Sequence, residues 1–205
     1  MSVIYKQQRS LNRVNKILDT AHNVLMDGEI NDLSIANLTK VADLKRTSTY
    51  KFFPHPDDIK IALIERYINE LKEKLENFNV SSSEHHQTLK ELINEIYLYF
   101  KENISAQKII LANTVNPPFD SAKLQALSNL LVKKIEAANK LPNMFNKEGV
   151  FLVITQIIIS VLSLNLKENN ELNEIGTNEA LRASYAYLLS CTTKQLRLAR
   201  KNYFD

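Results

Sequence analysis

The chain has 205 residues, 44% of them hydrophobic and 24% charged, which is enough for one well-cored domain or a small domain joined to a medium one. Three Gly and five Pro exclude collagen-like chains, low-complexity disorder and most turn-rich all-β folds, and the lone Cys191 excludes an internal disulfide framework and a multi-cysteine zinc site. With 26 basic and 23 acidic residues the formal charge is +3, so charge names a partner only through its arrangement.

Apolar residues recur at helical spacing along almost the whole chain, and no run alternates with period two, so the expected class is all-α. Residues 10–26 carry Leu11, Val14, Ile17, Leu18, Ala21, Val24 and Leu25 on one stripe, and Gly28 is expected to end that helix with a positive φ. Ser34 is placed to cap a short helix running through Val41. A tight turn around Asp43 follows, and then a second short helix over about Arg46 to Phe52. Pro54-His55-Pro56 stops it, and Asp57 and Asp58 suit the positive start of a long helix over about Asp57 to Phe78, with Ile64, Tyr67, Ile68, Leu71, Leu75 and Phe78 on its buried face.

The stretch Asn79 to Gln87 reads as a loop, and helices are expected at about 88–101, 104–115, 119–139, 147–167 and 177–201. Thr177 is the expected cap of the last, whose end carries Lys194, Arg197, Arg200 and Lys201. The run Gly149 to Leu164 is the one membrane suspect. It is shorter than the roughly 20 residues a spanning helix needs and contains Gln156, so a buried helix is expected and no membrane partner. The first residues lack the apolar core of a secretory signal, and the expected location is the cytoplasm.

Residues 33–59 carry the most chemistry. Two short helices about a turn apart are the requirement of a DNA-reading helix-turn-helix, in which the first helix braces a second that lies in the major groove. Ile35, Leu38, Val41, Leu44 and Phe53 are spaced to form the small core between them. The second helix would then expose Lys45, Arg46, Thr47, Ser48, Tyr50 and Lys51. Arg binds guanine in a bidentate fashion, Ser and Thr bond base or phosphate, and Lys and Tyr bond phosphate. Residues 1–60 hold nine Lys/Arg against seven Asp/Glu, with the bases in the N-terminal arm and the recognition segment and the acids mostly in turns.

With Gly28, Ser34, Leu38, Ala42, Leu44, Tyr50, Phe53 and Ile59 at matching positions, and Tyr50 and Phe53 at the Tyr-x-x-Phe spacing, this quarter of the chain resembles the TetR family of transcriptional regulators. The sequence departs from the family pattern at four places. Asp43 replaces the turn Gly, Lys45 a capping Ser, Thr49 a buried Leu, and Pro56 a Lys that contacts phosphate, for which His55 or Lys60 would compensate. The resemblance implies a three-helix helix-turn-helix domain over residues 1–56 and a larger helical ligand-binding and dimerisation domain over residues 57–205.

It further implies DNA contacts at Ser34, Arg46, Thr47, Ser48, Tyr50, Lys51 and Phe52, with Lys45 adding charge and Arg9 and Arg13 reaching phosphates from the arm. The implied function is that of a homodimeric regulator, a repressor, that reads a palindromic operator and is released by a small molecule. The 147–167 helix and the last helix, whose Ala180, Ala183 and Ala186 allow close approach, would form its four-helix interface. The polar residues on otherwise apolar stretches are Tyr97, Asn113, Thr155 and Gln156, which would orient the ligand or else bond to neighbouring backbone. No motif points to an enzyme, a cofactor or a metal; Glu84-His85-His86 sits in the expected loop without a second ligand group, and the four His show no pairing logic. The competing reading is a helical dimeric module, binding a small molecule or a protein, that has lost specific DNA binding.

Overall fold

The computed structural model of the protein describes residues 3–112 and 121–192. In chain order its helices are α1 (Val3–Asp27), α2 (Ile35–Val41), α3 (Arg46–Thr49), α4 (Pro56–Asn77), α5 (His85–Glu102), α6 (Ile104–Ala106), α7 (Ser121–Ala138), α8 (Lys147–Asn169) and α9 (Glu174–Ser190). A 3-10 turn over Ile30–Asp32 follows α1, and α6 runs into a π-helical segment, Gln107–Ala112. Among the described residues there is no strand, only an isolated antiparallel bridge between Met144 and Thr192. Two compact units result: Met1–Tyr67 with Asn103–Pro118, and Ile68–Glu102 with Phe119–Asp205.

In the first unit, among the α1 residues whose side chains are described, Ile17, Leu18, Ala21 and Leu25 are buried, Val14 and Val24 are half-buried and Leu11 is 55% exposed, so the apolar stripe outruns the core it was expected to cover. Gly28 ends the helix, though not through a positive φ. Its N–H still donates to the Val24 carbonyl at 2.8 Å, and a Cβ there would lie 2.6 Å from Asp32 Oδ2 and 2.8 Å from the Val24 oxygen. Close approach, not left-handed backbone, is what requires glycine. Asp32 is held in that position because its carboxylate accepts the Glu29 N–H at 2.7 Å.

Two side chains of the α6 region secure the end of α1. Ser105 Oγ donates to the His22 carbonyl at 2.9 Å, and Lys108 Nζ donates to the carbonyls of Met26 (3.3 Å) and Gly28 (2.8 Å). An ammonium on the last carbonyls supplies the donors and the charge that a helix C-terminus lacks. His22 Nδ1 meets Tyr67 Oη at 2.9 Å, and Arg66 pairs with Asp19 at 2.5 Å, tying α1 to α4. One histidine therefore does have a partner, 45 residues away in sequence.

Helix α4 starts one residue earlier than expected, at Pro56, where the missing N–H costs nothing, and the His55 N–H donates to Asp58 Oδ2 at 2.8 Å. Ile59, Leu63, Ile64 and Tyr67 are buried in its first half and Ile68, Leu71 and Leu75 in its second, whereas Phe78 lies past its end, half-buried.

In the second unit α8 packs against α7 and α9, and α5 against α7 and α9. Phe151, Ile154, Ile158 and Leu162 of α8 are fully buried. Among the described residues α8 is the helix long and apolar enough to cross a membrane, and 56% of its apolar window is buried inside the protein, as in the core helix of a helical bundle. Asn165 clasps the α8–α9 turn: its Oδ1 accepts the Asn173 N–H at 3.0 Å and its Nδ2 donates to Asn173 Oδ1 at 2.9 Å.

Other boundaries also differ from the sequence reading. Helix α5 begins at His85, so His85 and His86 lie in its first turn rather than in a loop. There His85 Nε2 bonds the Asn139 carbonyl at 3.2 Å and His86 stacks edge-on against Tyr185 at 4.7 Å. Helix α9 is capped by Asn173, whose Oδ1 accepts the Ile175 N–H, and not by Thr177. The expected 104–115 helix divides into α6 and the π-helical segment. Lys194, Arg197, Arg200 and Lys201 lie outside the described residues.

Candidate nucleic-acid interface

Residues 33–53 form a helix-turn-helix within the first unit. Ser34 Oγ accepts the Asn37 N–H at 3.2 Å and so caps α2, as its position before an apolar-periodic run predicts. This uses an oxygen lone pair and leaves the hydroxyl hydrogen available to an outside acceptor. The turn is made by Asp43 at φ 50°, the left-handed conformation for which the sequence offered Asp in place of Gly. The Leu44 N–H returns to the Thr39 carbonyl at 2.9 Å, which reverses the chain into the second helix.

That helix is shorter than expected. Regular α structure covers Arg46–Thr49, and turns continue through Phe52, with the N–H groups of Phe52 and Phe53 both donating to the Thr49 carbonyl at 2.9 Å. Lys45 sits at the cap position without a side-chain cap, and Ser48 Oγ instead donates to the Lys45 carbonyl at 2.9 Å. The hydroxyl of Ser48 therefore offers acceptor capacity outward rather than a free hydrogen.

Burial separates structural from accessible residues. Leu33, Ile35, Leu38, Thr39, Ala42, Thr49 and Phe53 fill the space between the helices, and Leu44 is half-buried. Val41, expected in this core, is 58% exposed, because α2 turns its last residue outward where Ala42 takes the inner position. Lys45, Arg46, Thr47, Tyr50 and Lys51 are exposed, Ser34, Ser48 and Phe52 are half-buried, and Arg9 and Arg13 are exposed on α1. Lys40, Lys45, Arg46 and Lys51 have no ion pair among the described residues. Lys60 does: it meets Asp57 at 2.9 Å, which blunts it as a substitute for the lysine that Pro56 displaces.

Thr49 is fully buried and its Oγ1 has no hydrogen-bond partner. It closes α3 with an unsatisfied hydroxyl at the point where an apolar side chain would fit.

Of the four polar residues singled out as ligand candidates, the three that are described make separate contacts. Tyr97 is buried on α5, with its hydroxyl donating to the Leu172 carbonyl at 3.5 Å. Thr155 is buried on α8 and donates to the Phe151 carbonyl at 2.8 Å, the backbone bond expected of a mid-helix threonine. Gln156 is exposed and bonds Ser160 Oγ at 2.9 Å, and Asn113 lies outside the described residues. Sequence reasoning missed Ser105 and Lys108 as supports of α1, since nothing local marks a serine or lysine that acts some 80 residues upstream.

No family model matches the chain and no curated protein matches its sequence. Solved structures do match. A TetR-family transcriptional regulator from Streptomyces coelicolor superposes with a TM-score of 0.68 at 22% identity, covering 87% of this chain and 99% of that one. A TetR transcriptional regulator from Rhodococcus sp. RHA1 gives 0.58 at 13% identity, covering 90% and 97%. The R. erythropolis transcriptional repressor QsdR, from the TetR family, gives 0.56 at 11% identity, covering 87% and 95%. The chain has the all-α fold of TetR-family regulators along nearly their full length.

Proposed function

We propose that the protein is a homodimeric transcriptional regulator that binds duplex DNA through α2 and α3. The observation that carries this reading is the exposed, unpaired set Lys45, Arg46, Thr47, Tyr50 and Lys51 on a helix-turn-helix, in a chain with the fold of known regulators. Arg46 and Thr47 reach base edges; Ser34, Lys45, Tyr50 and Lys51 hold the phosphate backbone, with Ser48 offering an acceptor and Phe52 an apolar contact beside them. Arg9 and Arg13 add phosphate contacts from α1.

One recognition helix reads too few base pairs to be specific. A two-fold pair spaced by about one DNA turn, roughly 34–36 Å, reads a palindrome. The pairing surface we assign is the outward face of α8 and α9, where Val153, Gln156, Ser160 and Leu164 on α8 and Ala183, Ala186 and Leu189 on α9 are exposed. The expected outcome is repression in the cytoplasm, relieved by a small molecule. Such a ligand must bind the spacing that does not fit DNA more tightly than the one that does, since equal affinity shifts nothing.

The test is fluorescence anisotropy with purified protein and duplexes from the inverted repeats that flank its gene. DNA binding through phosphates gives an affinity that falls steeply with salt as counterions are released. Arg46→Ala with Tyr50→Phe is expected to abolish operator binding with the dimer intact by analytical ultracentrifugation. Weak binding that is indifferent to both salt and this variant would select the competing reading, a helical dimer that has lost DNA recognition.

A further inference from the structure

A trough of about 490 Å³ lies between α5 and α9, wholly within the second compact unit. Its α5 wall carries Lys90, Asn94, Tyr97, Leu98 and Lys101, at the three- and four-residue spacing of one helix face. Its α9 wall carries Glu174, Thr177 and Asn178. The floor is apolar and aromatic: Tyr97 is 4% exposed and Leu98 half-buried. The Lys101 ammonium stands 5.4 Å from the centre of the Tyr97 ring.

Two features of this trough are unexplained by the protein's own contacts. The first is Thr177, which is 9% exposed and whose Oγ1 has no hydrogen-bond partner. A buried hydroxyl without a partner is costly unless something outside the chain completes it. The second is the charge balance. Two carboxylates line the trough beside the two lysines. Glu91 stays ionised, but both of its oxygens are taken up by Ser81, which donates its N–H at 2.7 Å and its hydroxyl at 2.6 Å and so holds the Glu91 carboxyl below its ordinary range. The Lys101 ammonium is held first by the Tyr97 side chain and is further offset by Glu174, in the first turn of α9 where negative charge suits the helix. Lys90 has no ion pair among the described residues.

We propose that this trough is a binding site for a small organic acid, a single carboxylate on a compact apolar body. The carboxylate is met chiefly by Lys90 and secondarily by Lys101, the Thr177 hydroxyl donates to it or to a polar substituent, and the body lies on Tyr97 and Leu98. The volume is that of a small-molecule site, and its lining sets charged, amide and hydroxyl side chains around Tyr97 and Leu98. That the acid acts as an effector rests on the DNA-binding reading above; that it binds here does not.

The test is isothermal titration of the full-length protein with 4-phenylbutyrate, and with 4-phenylbutyramide as its uncharged counterpart. The acid is expected to bind saturably, one per chain, and the amide at least about tenfold more weakly, a difference of about 1.4 kcal/mol. Lys90→Met with Lys101→Met is expected to weaken the acid about tenfold, with most of the loss in Lys90→Met alone. Thr177→Val gives a readout that a purely structural threonine would not: melting temperature rises as the unpaired hydroxyl is removed, while acid binding weakens several-fold. Equal binding of acid and amide, unchanged binding in the lysine variants, or a Thr177→Val protein that is more stable yet binds as before would each overturn the proposal. Running the same preparations on operator DNA separates the two readings. Acid binding without DNA binding leaves the trough standing and removes the regulator, and DNA binding without acid binding does the reverse.

Discussion

Thr49 offers a direct probe of the recognition segment. It is fully buried, it is the last residue of α3, and its Oγ1 has no hydrogen-bond partner. Valine has nearly the shape of threonine with a methyl in place of the hydroxyl, so Thr49→Val removes the unsatisfied group without opening a void. An unmade hydrogen bond at a buried group costs about 1–3 kcal/mol, and the methyl adds a favourable transfer contribution of about 0.8 kcal/mol. Taking the lower end, Thr49→Val should stabilise the protein by at least about 1 kcal/mol, or about 2–4 °C in Tm for a chain of this length. Thr49→Ser makes the complementary case. It keeps the orphaned hydroxyl and loses the methyl, so it should cost about 1 kcal/mol, and Thr49→Ala, which loses both, should lie near the natural protein. Urea unfolding followed by circular dichroism at 222 nm gives the ranking, with the m-value as a check that the unfolded state is unchanged. A valine variant no more stable than the natural protein would refute the reasoning, since it would mean that the hydroxyl is satisfied in solution.

Four further outcomes follow from the same contacts. Gly28→Ala drives a Cβ to within 2.8 Å of the Val24 carbonyl and 2.6 Å of Asp32 Oδ2, and should cost about 1–3 kcal/mol in the same urea assay. Gly176→Ala brings a Cβ to 2.5 Å from Asn165 Cγ and 2.6 Å from its Cβ, so it should be destabilising in the natural background and less so with Asn165→Gly, which removes both atoms, a coupling that a double-mutant cycle measures directly. Lys108→Met strips the Met26 and Gly28 carbonyls of their ammonium and should cost about 1 kcal/mol, with amide exchange quickening at the end of α1. Glu91 titrates below its ordinary value in the folded protein because Ser81 bonds its charged form. Its contribution is therefore present above the unfolded carboxyl pKa and is lost as pH falls through the folded one. Glu91→Gln should flatten the loss of stability on acidification below about pH 5, as read from urea midpoints at a series of pH values.

Much of the helix-turn-helix unit was legible because its signals are local. Ser34 precedes an apolar-periodic run and caps it, Asp43 supplies the left-handed turn, and Pro54 and Pro56 bracket the entry into α4. Periodicity is weaker at ends and edges. It carried the second helix on to Phe52, where the backbone instead tightens into turns on the Thr49 carbonyl, and it placed Leu11 and Val41 inside, where no neighbouring element reaches them. Thr177 and Asn173 are both capping types four residues apart, and what decides between them is Asn165, held against Asn173 from the preceding helix. The candidate ligand residues show the same limit. Thr155 looks conspicuous on an apolar helix, yet its hydroxyl is spent on its own backbone. The trough was invisible because it needs α5 and α9 side by side, a pairing that no spacing along one helix encodes.

The dependence of α1 on Ser105 and Lys108 bears on how such a chain is taken apart. A fragment cut within or just after α4 keeps every residue of the helix-turn-helix and discards the groups that hold the carbonyls of His22, Met26 and Gly28. The portable helix-turn-helix cassette is thus discontinuous. Chimeras that swap helix-turn-helix units between relatives should carry residues 103–112 along with the amino-terminal stretch, and those that splice at α4 alone should yield units with a frayed first helix.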